Sequence, residues 1–212
     1  MSPITIENTD ETYTVFTVSL NSKYQILTTV TSTAATVEAW IDDVNRVYGA
    51  RGSNIHVGLD VEWRPSYGGP QNKVSVFQLC TGNRCLIFQL LYADRIPAAL
   101  NEFLVNPCCR FLGVGIEEDI EKLVCDWDFN SPVSQSKVDL RVLAENTTGK
   151  KEMKQMGVKK LAMEIIGMDV YKPKTVTMSR WDNECLSLEQ IKYACVDAFL
   201  SFLIGDRLYS SK

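Results

Sequence analysis

Histidine is nearly absent. His56 is the only one in 212 residues, so Ser-His-Asp or Cys-His catalysis would have to run through that single ring. A lone histidine inside an apolar run is more often packed than catalytic, and both chemistries are set aside. The same scarcity, with seven cysteines and no C-x-x-C pair, removes the usual ligand set of a structural zinc site. The cysteines (80, 85, 108, 109, 125, 185 and 195) mostly lie in apolar runs, which predicts reduced, buried thiols rather than a disulfide framework. Basic residues are in deficit: 22 Lys and Arg stand against 26 Asp and Glu, a net charge of −4. That is not the balance of a protein that coats nucleic acid electrostatically, although it leaves local chemistry on phosphates open. No run approaches the roughly 18 apolar residues of a membrane span. The opening MSPITIENTDETY has no basic residue and no apolar core. It predicts neither a secretory signal nor a transit peptide, and hence an intracellular protein of the nucleus or cytosol.

What is present begins with IHVGLDVEW, residues 55 to 63. The run reads as a buried central strand, covered on both faces. Asp60 and Glu62 are two apart, so they share one face near its carboxyl end. Two carboxylates so placed repel each other and lose solvation unless a cation neutralises them. A divalent metal is the economical explanation. A strand end emerging into water gives the same D-x-E pattern, so the pair decides nothing alone.

Around this strand the pattern alternates. Residues 12–20 and 24–30, rich in β-branched and aromatic side chains, predict a hairpin or two adjacent strands. Residues 34–48 carry Val37, Trp40, Ile41, Val44, Val47 and Tyr48 on one helical stripe ended by Gly49. After a Pro- and Gly-rich loop at 64–72, residues 73–81 and 84–89 predict two strands, making an antiparallel meander with 55–62. Short elements follow: a helix at 97–105, a strand at 110–115, a helix at 117–127 and a strand-to-helix change within 137–143. Residues 146–157 predict a loop, 159–166 a helix and 171–183 an irregular segment. Ser187 and Gln190 form a capping-box pattern that opens a long helix toward Leu208. The reading is one α/β domain over 1–212 with a mixed sheet flanked by helices; residues 1–50 supply added strands and a helix.

Two further acidic places matter. Tyr193 and Asp197 are an i,i+4 pair on one face of the last helix, and a local Tyr–Asp hydrogen bond would suffice to explain them. Glu117, Glu118 and Asp119 open the helix after the glycines at 113 and 115, where the helix dipole favours acids for structural reasons alone.

Taken in order, GLDVEW, KVSVFQLC, GVGIEEDIEKL, and SRW with LSLEQIKYACVDAF resemble the DEDD-type 3′–5′ exonucleases of the ribonuclease H-like fold. The resemblance is to the branch containing the exonuclease domain of Werner syndrome helicase and its stand-alone plant relatives. It spans about Ile55 to Leu208. It implies metal-binding acids at Asp60, Glu62, Asp119 and Asp197, with Tyr193 as the tyrosine that defines the DEDDy subgroup. Asp119 is chosen because the family's acid lies four positions after the second glycine of GxGxxxD, here Gly115. One position departs: where Werner-type domains carry a tryptophan two residues after the third acid, this chain has Glu121.

The implied activity is hydrolysis of DNA or RNA from 3′ ends with two Mg²⁺ or Mn²⁺ ions. Four carboxylates roughly cancel the charge of two divalent ions, which suits that requirement. Lys150, Lys151 and Lys154 in a lysine-rich stretch, with Lys172, Lys174 and Arg180 beyond it, are candidates to hold substrate phosphates. A second class of function is open: a weak or inactive nucleic-acid-binding or oligomeric scaffold of the same fold. Self-association through the added strands, and a protein partner that delivers substrate, remain open as well.

Overall fold

The computed structural model describes residues 3–49, 54–132 and 136–211; the division expected near residue 50 lies outside them. Eight strands among these residues form one mixed sheet in the order β1-β2-β3-β6-β5-β4-β7-β8. The strands are β1 (Ile4–Thr9), β2 (Tyr13–Leu20), β3 (Tyr24–Thr31), β4 (Ile55–Glu62), β5 (Val76–Thr81), β6 (Arg84–Gln89), β7 (Cys109–Gly113) and β8 (Lys137–Asp139). The expected hairpin is β2–β3, and the expected meander is β4–β5–β6, antiparallel throughout. β4, β7 and β8 run parallel, so their carboxyl ends meet at one rim of the sheet. That rim is where ligands bind in open α/β sheets.

Strand β1 was not expected from the sequence. Its side chains are nearly all exposed, so it carries no apolar alternation to read. Pairing with β2 holds it in place at the edge, with a bulge between Ile6 and Asn8 that twists an otherwise open edge.

The helices divide between the faces. On one face lie α1 (Ala34–Tyr48), α2 (Ala98–Val105) and α3 (Ile116–Trp127), packed on Val57, Leu59 and Val61 of β4. On the other lie α4 (Leu140–Thr148), α5 (Val158–Ile166) and α7 (Leu188–Ser210), packed over Val76, Cys80 and Ile87. A short α6 (Lys174–Thr177) occupies part of the stretch expected to be irregular. Residues 146–157 are also more ordered than a loop. α4 continues to Thr148 and a 3-10 turn follows at Lys151–Gln155, pinned by the buried Met153, an apolar anchor that the surrounding polar residues obscure.

Helix α7 runs for 23 residues, and its start follows the sequence. The Ser187 hydroxyl accepts from the Gln190 N–H at 3.2 Å, while the Gln190 side chain accepts from the Ser187 N–H at 2.9 Å. The helix lies directly on β4. A Cβ on Gly58 would stand 1.9 Å from the Ala198 carbonyl oxygen and 2.5 Å from the Phe202 nitrogen, so only glycine allows this approach.

All seven cysteines are free. Cys80, Cys85, Cys109 and Cys195 are buried as expected, but Cys108, Cys125 and Cys185 are exposed; they lie in connections or on the outer face of α3, where an apolar neighbour in sequence does not imply burial. His56 is part-buried, stacked on Tyr209 and bonded through Nδ1 to Asp206 at 3.0 Å. That is a structural role. No helix among the described residues is long and apolar enough to cross a membrane.

Candidate metal centre

Alternation along β4 decides what faces α7. Val57, Leu59 and Val61 enter the opposite core, so His56, Gly58, Asp60 and Glu62 turn toward the helix. α7 runs antiparallel to β4: Asp206 meets His56, and the Ala198–Phe202 backbone crosses Gly58. The next turn back brings Asp197 over the end of the strand. Asp60, Glu62 and Asp197 each offer a carboxylate oxygen within 4.8 Å of the others.

Asp119 arrives from a different direction. β7 ends at Gly113, and Gly115 then takes a left-handed φ of +78° as the cap of α3. This is a conformation that residues with a Cβ rarely adopt. The turn is tied to the neighbouring strand, because the Gly115 N–H donates to Asp139 at 3.0 Å. Arg141 in turn grips both Asp139 oxygens. Asp119 stands outside the three-acid cluster yet close enough for its charge to act on Asp60 and Glu62.

The electrostatics are those of a crowded acidic pocket. Burial, then the charges of Asp197 and Asp119, drive the Asp60 carboxyl well above its ordinary range. Burial and Asp60 do the same to Glu62. Asp119 is pushed up to about 7 by burial and by Glu118 and Asp139, with Arg141 opposing. Burial also raises Asp197, although Lys172 pulls it back. Such concentrated, perturbed carboxyls mark functional sites more often than structural ones.

The tyrosine is placed with equal care. Its hydroxyl shares a 2.8 Å hydrogen bond with Thr177 Oγ1, and its ring packs against the buried Trp181 at 5.9 Å. Trp181 donates to the Thr177 carbonyl at 3.2 Å, and Gln190 donates to Ser179 and to the Arg180 carbonyl. The SRW segment is thus a brace for Tyr193. The local Tyr193–Asp197 bond that the spacing suggested is not the main relief of the Asp197 charge. Lys172 is: its ammonium donates to Asp197 Oδ2 and lies 4.7 Å from the centre of the Tyr193 ring.

Lys172 is the residue that the sequence underrates. Following a lysine-rich stretch, it looks like one of several solvated side chains, and only the fold turns it inward. Gln78 is the second. It sits opposite Asp60 in the β4–β5 register, fully buried, and neither polar atom of its amide has a hydrogen-bond partner among the described residues.

The other basic candidates are on the surface. Lys154 pairs with Glu145 at 2.9 Å, Lys150 with Glu164 at 3.6 Å and Arg180 with Asp182 at 3.5 Å. Lys151 is exposed on the 3-10 turn, and Glu121 on the outer side of α3. Loose surface pairs such as these are worth little and leave the charges accessible.

The donor set fits a hard divalent cation. Every ligand available in the cluster is a carboxylate oxygen, the choice of Mg²⁺ and Mn²⁺. Asp197 Oδ1 is buried without a hydrogen-bond partner among the described residues. Such an oxygen is costly unless a cation or a donor meets it.

Comparison with known proteins bears on the family and the fold. A family model described as 3'-5' exonuclease matches residues 6–211. The chain is 32% identical over 154 residues to the bifunctional 3'-5' exonuclease/ATP-dependent helicase WRN of Mus musculus, covering 72% of this chain and 11% of that protein. It is 32% identical over 149 residues to a 3'-5' exonuclease of Arabidopsis thaliana, covering 69% of this chain and 50% of the relative. Among solved structures, the Aedes aegypti Nibbler EXO domain superposes with a TM-score of 0.71 at 22% identity, covering 86% of this chain and 87% of that one. Escherichia coli RNase D gives 0.67 at 19% identity, covering 89% and 45%. These two bear on the fold alone, which is that of the exonuclease domains. With the family match running almost from end to end, over the acids at the rim of the sheet as well as the added strands, the chain belongs to the 3'-5' exonuclease family.

Proposed function

We propose that this chain is a metal-dependent exonuclease that hydrolyses phosphodiester bonds of nucleic acid from the 3′ end, releasing nucleoside 5′-monophosphates. The observation that carries the reading is the convergence of Asp60, Glu62 and Asp197 within 4.8 Å, with Asp119 at the border. Asp60, Glu62 and Asp197, with Asp119 beside them, would hold two divalent ions. Bound there, Mg²⁺ or Mn²⁺ would supply a more acidic water and stabilise the attacking and leaving oxygens of an in-line displacement.

The protein's own groups would do the rest. The Tyr193 hydroxyl, held by Thr177 and backed by Trp181, orients the attacking water. β4 and α7 keep the carboxylates at fixed separation, so no reorganisation is needed as charge develops. Lys150, Lys151, Lys154 and Arg180 would hold flanking phosphates, an attraction that weakens as salt is raised.

A labelled oligonucleotide with Mn²⁺ or Mg²⁺, run beside an EDTA control, tests the reading. A ladder shortening from the 3′ end is expected, and Asp60→Ala should abolish it while circular dichroism shows an intact fold. Digestion that survives Asp60→Ala would defeat the assignment. The deficit of basic residues, 22 Lys and Arg against 26 Asp and Glu, favours a second reading, a scaffold of this fold with an idle site. In the same assay that protein would leave the oligonucleotide uncut with either metal.

A further inference from the structure

Lys172 is a charged side chain inside the acidic pocket that the proposed reaction does not use. Its side chain is only 18% exposed, and that of its partner Asp197 is 6% exposed. The backbone around it leaves little choice. Val170 is buried on one side, and Pro173 fixes the entry to α6 on the other. Tyr171 points outward, 80% exposed, whereas Lys172 turns in. The ammonium lies over the Tyr193 ring and on Asp197 Oδ2, and its charge also reaches Asp60 and Glu62. It thus contacts the acid and the tyrosine proposed to act on the same reacting centre.

A monovalent cation on a flexible four-carbon stem is a poor match for four carboxylates, but it is always available. A divalent ion held by Asp60 and Asp197 would lie beside the ammonium on Asp197 Oδ2 and would be repelled by it at close range. From this we infer that Lys172 is the resident counter-ion of the pocket, holding Asp197 in register with β4 and competing with divalent metal for it. This inference rests on the metal-site reading above. Affinity for metal would then be set partly by the cost of displacing Lys172, so the carboxylates alone would bind more tightly than the intact site does.

Two measurements test this without relying on turnover. In the unmodified chain, reductive methylation read by peptide mass spectrometry should find Lys172 protected without divalent metal. Saturating Mn²⁺ should make it at least several-fold more reactive; equal or stronger protection with Mn²⁺ would overturn the inference. By calorimetry, Lys172→Met should bind Mn²⁺ at least tenfold more tightly, while Lys172→Arg, which keeps the charge, stays near the unmodified value. Unchanged or weaker binding by Lys172→Met would mean that the lysine merely braces the acids. Absence of saturable Mn²⁺ binding by the unmodified chain would remove the metal site itself. Tight Mn²⁺ binding with an unresponsive Lys172 would remove this proposal alone.

Discussion

Gly58→Ala is the smallest change that should separate the two halves of the metal centre. The added methyl would sit 1.9 Å from the Ala198 carbonyl oxygen, and ordinary contact begins at 3.4 Å, so α7 must retreat by about 1.5 Å. The obstacle is helix backbone, which cannot rotate aside as a side chain would. Overpacking in a filled core costs about 1–3 kcal/mol, occasionally more, and a 23-residue helix lifted from the sheet puts this site at the upper end. The chemistry suffers as well. Oxygens of Asp60 and Asp197 must both lie about 2 Å from a shared ion, and a shift of that size breaks the arrangement. Urea denaturation should show a loss of about 3 kcal/mol, and Mn²⁺ affinity by calorimetry should drop at least tenfold. Gly49→Ala is the matched control, since Gly49 has ordinary helical φ and nothing within 4 Å of its added methyl. If Gly58→Ala is as stable as that control and still binds Mn²⁺ normally, the close approach of α7 is not what builds the site.

Other outcomes follow from the same pocket. Asp119, raised from 3.8 to about 7 and faced by Glu118, Asp139, Arg141 and Asp60, binds its proton more tightly in the folded state than in the unfolded one. The stabilisation is therefore complete below about pH 4 and is lost as pH rises through 7, by roughly 2–3 kcal/mol between pH 5 and 8. The lowered carboxyls Asp43, Asp139 and Asp182 act only at lower pH, and the raised Asp60, Glu62 and Asp197 push the same way as Asp119, so urea midpoints should fall from pH 5 to pH 8. Saturating Mn²⁺ should flatten the slope, and a metal-free midpoint that rises with pH would contradict the sign. Gln78→Met should raise stability by about 1 kcal/mol or more, because it removes two buried amide atoms that lack partners among the described residues at similar volume; a fall in thermal midpoint would show that the amide is in use.

Local rules made much of this protein readable from its sequence. Period two placed Asp60 and Glu62 on one face of a buried strand, period 3.6 placed Tyr193 and Asp197 on one face of a helix, and Ser187 with Gln190 marked where that helix starts. These signals depend on residues close in the chain, whose relative directions follow from backbone geometry alone. What the sequence hid is what depends on neighbours distant in the chain. Strand β1 exists because β2 offers it an edge, the 3-10 turn at Lys151–Gln155 because Met153 finds a core, and the bracing of Tyr193 because Thr177 and Trp181 fold back onto α7. Lys172 shows the division most sharply. The other lysines of the region, Lys150, Lys151, Lys154 and Lys174, face solvent, and only the packing of its segment over Asp197 turns an ordinary surface charge into a cation inside the acidic pocket.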